Sequence, residues 1–261
     1  MERPCLPGGV SLILPLAVLA GWWALARPGI VPEYLLPAPA QVLESLTFYV
    51  LGGSGTGAYH ARFAGDLAAS MLRVGCGFAL AVGLGLPLGL VSGRVPLFAR
   101  LMAPLVNGLR AVPGICWLPL ALVWLGIGFR STLFLIALAA FFPVYLNAAS
   151  GASSVAAVLP RAGAMLGLSG LAVFFQVIFP ASMPQIRTGL RLGLGVSFAY
   201  LVLGELTGVP DGIGAMIMDA RLVGRVDMIL AGIVLISLLG WLGDLALVQA
   251  LRAVSRSARR L

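Results

Sequence analysis

The chain has 261 residues, 60% hydrophobic and 10% charged, with a mean hydropathy of +1.04. Soluble domains carry about 25% charged and about 45–50% apolar residues; nine acidic and seventeen basic side chains cannot give a globule of this size a water-compatible surface, which excludes a soluble enzyme. All seventeen basic residues are arginine, so no lysine is present to complete a phosphate-cradling P-loop, and the net charge of +8 is scattered between apolar runs rather than gathered on a face for nucleic acid.

A helix needs about 20 mostly apolar residues to cross a bilayer, so uncharged intervals between ionisable side chains are candidate spans, and six qualify. The first is Val10–Ala26, read as an uncleaved anchor. Its apolar stretch is too long for a signal-peptide core and carries Trp22-Trp23 just before Ala24-Leu25-Ala26, which imitates a cleavage site. RPGIVPEYLLPAPAQV, with four prolines, predicts an extended crossing outside the membrane, then a weakly amphipathic segment to about Phe48 and a loop tip at Leu51–Gly57. The second span begins a turn or two before Arg73 and ends at Gly93. The third runs from Ala111 to Phe129 after the proline-containing approach PLVNGLR. The fourth is Ser131–Gly151, the fifth extends from near Thr188 to Gly204, and the sixth is Met228–Leu251.

One more uncharged interval, Ala162–Ile186, is not assigned as a span. Gly163, Gly167, Gly170, Pro180 and Pro184 interrupt it, and prolines remove backbone donors that lipid cannot replace. Charge supports this assignment. The 94–110 loop, the 161–191 stretch and the tail from Arg252 hold ten arginines, against four in the 27–66 and 205–227 loops, which places both termini in the cytoplasm. The 162–186 segment is then expected at the cytoplasmic face, buried against protein.

No catalytic constellation is present. Ser54 in GGSGT lacks the nucleophile-elbow pattern, His60 sits beside a flexible loop, and Asp244 has no second intramembrane aspartate. Cys5, Cys76 and Cys116 are isolated, which argues against structural zinc and disulfides and for small packing residues. No catalytic residue, metal or cofactor is expected. The Gly85/Gly89/Gly93 and Gly189/Gly193 spacings read as close helix packing. Ionisable groups in or beside spans are costly unless paired or in a wet path, which singles out Arg73, Arg130, Arg191, Glu205 and Asp244. Arg130 and Arg191 read as span-end side chains snorkelling to the interface, whereas Glu205 ends the fifth span where a pathway could open outside.

RAGAMLGLSGLAVFFQVIFP, residues 161–180, resembles the EAA loop of ABC importer permeases: Glu-Ala-Ala, three residues, Gly, nine residues, an aliphatic, a spacer and Leu-Pro. The matching positions are Arg161, Ala162, Gly163, Gly167, Val177 and Phe179-Pro180. LLPAPAQV (Leu35–Val42), SMLRVGCGFALAVGLGLPLGL (Ser70–Leu90), LRAVPGICWLPLALVWLGIG (Leu109–Gly128), FFPVYLNAASG (Phe141–Gly151) and GLRLGLGVSFAYLVLGEL (Gly189–Leu206) are similar to permeases of the nitrate, bicarbonate, sulfonate and taurine importer family, over about Val31–Ala250. Arg161 stands where that family usually has an acidic residue, Gly163 where it has Ala, Asp66 where His is common, and Ser197-Phe198 where Ala-Trp is usual.

The resemblance implies an all-α polytopic membrane protein with six transmembrane helices and a cytoplasmic coupling helix pair between spans four and five. It implies a transmembrane anchor over residues 1–30, a periplasmic or extracellular crossing over 31–65, a permease core over 66–251 with the EAA loop at about 161–180, and a basic cytoplasmic tail over 252–261. The implied home is the bacterial inner membrane. The implied partners are separate ATPase subunits that hydrolyse ATP, a second permease copy, a periplasmic or lipid-anchored solute-binding protein and membrane lipid, with no nucleic acid. ATPase coupling falls to Arg161, Ala162, Gly163, Gly167, Val177 and Pro180. Candidate pathway residues are Arg73, Arg110, Asn147, Ser197 and Glu205, and the implied solute is a small anion such as a sulfonate, nitrate or bicarbonate, which Arg73 or Arg110 would suit. The alternative, an ion-coupled secondary transporter, predicts internal repeats and mid-membrane ionisable groups; no clear repeat is seen and only Asp244 lies deep in a span.

Overall fold

A computed structural model describes residues 10–27, 31–52 and 62–257, and the regular structure among them is entirely helical. In chain order the helices are α1 (Val10–Leu25), α2 (Pro39–Leu51), α3 (Phe63–Arg94), α4 (Pro96–Ala111), α5 (Trp117–Leu125), α6 (Phe129–Ser153), α7 (Val158–Met165), α8 (Gly170–Val173), α9 (Phe179–Glu205), α10 (Ile213–Leu222) and α11 (Val226–Ser257). Four stretches are long and apolar enough to cross a bilayer: α3, α6, the continuous helix Gly170–Glu205 that joins α8 to α9, and α11 over Val226–Ala253. α4 and the segment Gly114–Leu125 qualify only as a pair bent by 82°. α1, at 16 residues, is shorter than the ~20 of an unaided crossing.

α6 is the hub. It packs along its length against α3 on one side and α9 on the other, and small residues set the spacing. A β-carbon on Gly89 would lie 2.5 Å from the Tyr145 carbonyl and 2.8 Å from the Ala148 side chain; one on Gly189 would lie 2.6 Å from Asn147 Cβ. Val144, Ala148, Ile186 and Leu190 fill the seam between these contacts, while Tyr49, Ile213, Met216 and Met228 form a separate core joining α2, α10 and α11.

Three expectations about the spans change. The third span is not one helix from Ala111 to Phe129. Pro113 holds Val112 in extended conformation (φ −76°, ψ 119°), so α4 stops at Ala111 and the chain resumes as a 3₁₀ turn, Gly114–Cys116, before the nine-residue α5. The 94–110 stretch is not a loop, since Val95 alone separates α3 from α4, and Pro96 occupies the first helical turn, where its missing N–H removes no bond. The helix that carries the fifth span begins well before Thr188. The helix is continuous from Gly170 because a π turn at Phe174–Ile178 precedes Pro180, which falls in the first turn of α9, so its ring meets a locally widened backbone. The prolines therefore modulate this helix without ending it.

The loop-tip residues Gly53–Gly57, together with Ser54, His60 and Cys5, lie outside the described residues. Cys76 is partly buried, but Cys116 is exposed at the span break and is not a packing residue.

If the α3–α6 seam sets the fold, Gly89→Leu lowers the thermal unfolding temperature of the purified chain by an amount corresponding to about 1–3 kcal/mol. Gly75→Leu, on the same helix with nothing within 4 Å of the added carbon, leaves it unchanged.

Candidate functional site

The break between α4 and α5 faces α6 and α9 across an open cavity of about 500 Å³. Its walls are Arg110, Val112, Gly114 and Trp117 from the break, Leu135, Leu138, Phe142, Leu146 and Asn147 from α6, and Leu192, Val196 and Tyr200 from α9. Non-helical backbone at membrane depth is tolerated only against protein or a wet cavity, so the break and the cavity explain each other. Asn147 donates its side-chain amide to the Pro143 carbonyl at 2.8 Å, a bond that fixes the side chain at the cavity wall. The Tyr200 ring reaches across to Gly114, where any β-carbon would overlap its hydroxyl. Arg110 is exposed at the rim and brings the one full charge among the lining residues.

The other ionisable candidates do not join this cavity. At the start of α3 and the end of α9, Glu205 is fully buried and accepts hydrogen bonds from Arg73 Nη1 at 2.7 Å, Ser70 Oγ at 2.8 Å and the Gly214 amide at 2.8 Å. Arg73 also bonds the Asp211 carbonyl at 2.9 Å and the Asp211 carboxylate. Asp66 accepts from Tyr49 Oη at 2.7 Å and from the Gly212 amide at 2.9 Å, and Ser70 Oγ accepts from the Ile213 amide at 3.0 Å. The orphan N–H groups at the start of α10 are thereby satisfied by Asp66, Ser70 and Glu205, and the negative charge sits at the positive end of that helix. Gly212, at φ 116°, has no room for a side chain because a β-carbon would meet the Glu205 carboxylate. Burial, then the bond to Asp66, pushes the Tyr49 phenol well above its ordinary range and keeps it a donor. Ser197 is buried and bonds the Gly193 carbonyl of its own helix at 2.8 Å.

Of the five pathway candidates, Arg110 and Asn147 therefore share the cavity, Arg73 and Glu205 share a clamp that ties α3, α9 and α10 together, and Ser197 belongs to the core. Sequence alone does not single out Trp117, Tyr200 and Gly114. Its one signal for them is the AVPG break inside an otherwise uncharged interval.

Arg191 is not a snorkelling span-end side chain. It forms a two-pronged ion pair with Asp244 of α11, Nε to Oδ1 and Nη2 to Oδ2, both at 2.7 Å. Arg130, the second residue of α6, is exposed at the helix start.

The 158–178 stretch is a helical hairpin. α7 ends in a Schellman turn in which the Leu168 amide bonds the Gly163 carbonyl at 3.1 Å and the Gly167 amide bonds that of Ala164 at 3.0 Å, with Gly167 left-handed at φ 84°. Gly163 faces α8 and the π turn: a β-carbon there would lie 3.3 Å from Leu168 and from Val177, tighter than usual, which fits glycine at this position. Val173 and Ile178 are buried, together with Val155, in a small core. On the hairpin's outer side Met165, Leu166, Leu171 and Phe175 are 89%, 84%, 75% and 63% exposed in the single chain.

The sequence pattern of the family described as "binding-protein-dependent transport system inner membrane component" matches residues 85–260. The chain is 38% identical over 230 residues to the taurine transport system permease protein TauC of Escherichia coli K12, covering 88% of this chain and 82% of that one. It is 35% identical to the putative aliphatic sulfonates transport permease protein SsuC of Bacillus subtilis 168, covering 90% and 82%, and 32% identical to the nitrate import permease protein NrtB of Synechocystis, covering 91% and 86%. An inward-facing structure of the MetNI methionine ABC transporter has the same fold, with a TM-score of 0.62 at 20% identity over 74% of this chain and 95% of that one. Fold and sequence define a permease subunit of ABC importers. The chain belongs to the binding-protein-dependent transport system inner membrane component family.

If the Arg73–Glu205 pair is a buried clamp, Arg73→Met leaves the Glu205 carboxylate buried without a cation and costs about 3–5 kcal/mol, whereas Glu205→Leu, which leaves Arg73 its Asp211 partner but orphans the Gly214 amide, costs less. The double variant should lose clearly less than the sum of the two singles when thermal unfolding is compared across the four proteins.

Proposed function

We propose that this chain pairs with a second copy of itself to form the translocation pathway of an ABC importer for a small anion. Separate ATPase subunits drive transport, and a periplasmic or lipid-anchored binding protein delivers the solute. The observation that carries the pathway is the cavity at the α4–α5 break, where Arg110 offers a planar fork of donors to an oxyanion and Asn147 a further polar group beside it. The relatives' names support an anion, since taurine, aliphatic sulfonates and nitrate share an oxyanion group.

In this reading both termini face the cytoplasm, with six crossings over an anchor at 1–30, an outer crossing at 31–65, a core at 66–251 and a basic tail at 252–261. The arginine bias supports that orientation. The α7–α8 hairpin then lies on the cytoplasmic side with Met165, Leu166 and Leu171 outward, an apolar knob that an ATPase subunit would cover. Arg161, Ala162 and Gly163 on α7, Gly167 at the turn, and Val177 and Pro180 beyond it make up the coupling element.

Arg110→Gln should reduce uptake in cells at least tenfold at unchanged membrane abundance, whereas Arg130→Gln, outside the cavity, should not. Undiminished uptake with Arg110→Gln would remove Arg110 from the pathway. Gly167→Val forces a branched side chain into a left-handed conformation at about 1–2 kcal/mol, and should weaken co-purification of the ATPase while leaving the permease inserted. Normal co-purification would argue against the hairpin as the coupling element.

A further inference from the structure

The outer side of the α7–α8 hairpin sets a single charge in an apolar surface. Residues three and four apart share a helix face, so on α7 Arg161 lies between Val158 and Met165, which are 66% and 89% exposed. Leu166 and Leu171 add exposed apolar area at the turn and beyond it. Arg161 is itself exposed, and its side chain makes no hydrogen bond or ion pair among the described residues. Its own chain has little to offer it. From Leu67 to Gly204 the sequence holds eight arginines and no carboxylate. In the hairpin's half of the molecule the one described carboxylate is Asp244, and Arg191 holds both of its oxygens. We propose that the ATPase subunit covering the hairpin sets an aspartate or glutamate of its own against Arg161, inside an otherwise apolar contact, and that this ion pair selects the matching ATPase. The inference rests on the coupling reading above and deepens it by naming the chemistry of the partner's surface.

Burial and charge lead to this together. The exposed side chains of the hairpin contribute to binding only when a partner removes them from water. Covering Val158 and Met165 also covers the residue between them, so the apolar contact cannot form without drying part of the Arg161 guanidinium. Left unpaired, that charge opposes docking; met by a carboxylate, which matches the planar fork of its donors, it is compensated and held in one orientation. A neutral or basic surface in the same place strands the charge, so the contact rejects a subunit that lacks the carboxylate.

The absence of lysine makes a direct test possible. Arg161→Lys introduces the only side-chain amine in the chain, and a zero-length carbodiimide joins an amine only to a carboxylate in contact with it. The permease–ATPase complex is treated in lipid nanodiscs and the joined peptides are identified by mass spectrometry. The proposal expects an amide between position 161 and an aspartate or glutamate of the ATPase, and none from Arg130→Lys at the opposite end of the molecule. When the ATPase is titrated back onto the permease, Arg161→Glu should weaken binding by roughly tenfold or more, and a lysine in place of the identified carboxylate should restore it. Full binding by Arg161→Glu, or no amide at position 161, overturns the ion pair. The coupling reading survives that result if Met165→Glu still displaces the ATPase, and falls if it does not. A loss with Arg161→Glu that is seen in nanodiscs of anionic lipid and not in neutral ones assigns Arg161 to the membrane surface and overturns the proposal as well.

Discussion

Lipid offers no hydrogen bonds, so each backbone amide, carbonyl and charged side chain at membrane depth must find its partner inside the protein or in a water-filled space. This constraint organises the α3–α6–α9 core. Long helices satisfy their own backbones and can approach closely because glycine and alanine line the seams. The interruption from Val112 to Cys116 is turned toward α6 and α9, where a cavity replaces lipid. In the proposed reading this interruption is where the bundle admits a polar solute.

The charged groups obey the same constraint in two ways. Arg73 pairs with Glu205 and Asp211, and Asp66, Ser70 and Glu205 occupy the amides at the start of α10, so this cluster holds architecture together. Aspartate at position 66 suits this cluster because a carboxylate only accepts, and both the Tyr49 hydroxyl and the Gly212 amide approach it as donors. Arg110, by contrast, stands at the cavity rim among apolar and aromatic side chains. The difference between a spent charge and an available one separates the clamp from the candidate site.

Much of the fold is legible because the spans are uncharged intervals: α3, α6 and α11 fall where hydropathy and flanking charge put them. The third crossing is not, because Val112, Pro113 and Gly114 sit in an uncharged run like their neighbours, so hydropathy cannot register that the backbone turns there. α4 is hidden by Arg94, Arg100 and Arg110, which read as loop charges though Arg100 and Arg110 ride on a helix. Pro180 and Pro184 suggest a break that the preceding π turn avoids. The hairpin at Gly167 is legible, since glycine at that spacing matches a left-handed turn. The sorting of ionisable residues is not legible, because the partners of Arg73 and Arg191 are distant in sequence and only the packed helices bring them together.

The passage of solute through the cavity at the broken span can be tested directly. Asn147→Cys, in a chain with Cys5, Cys76 and Cys116 replaced, is labelled with a membrane-impermeant thiosulfonate in sealed vesicles of either orientation. The account predicts reaction from the side bearing the α7–α8 hairpin in the resting complex, and from the opposite side once the ATPase is trapped with ATP and vanadate. A cysteine at position 147 that no reagent reaches from either side in either state, beside one at position 205 that is labelled and blocked by solute, would contradict it.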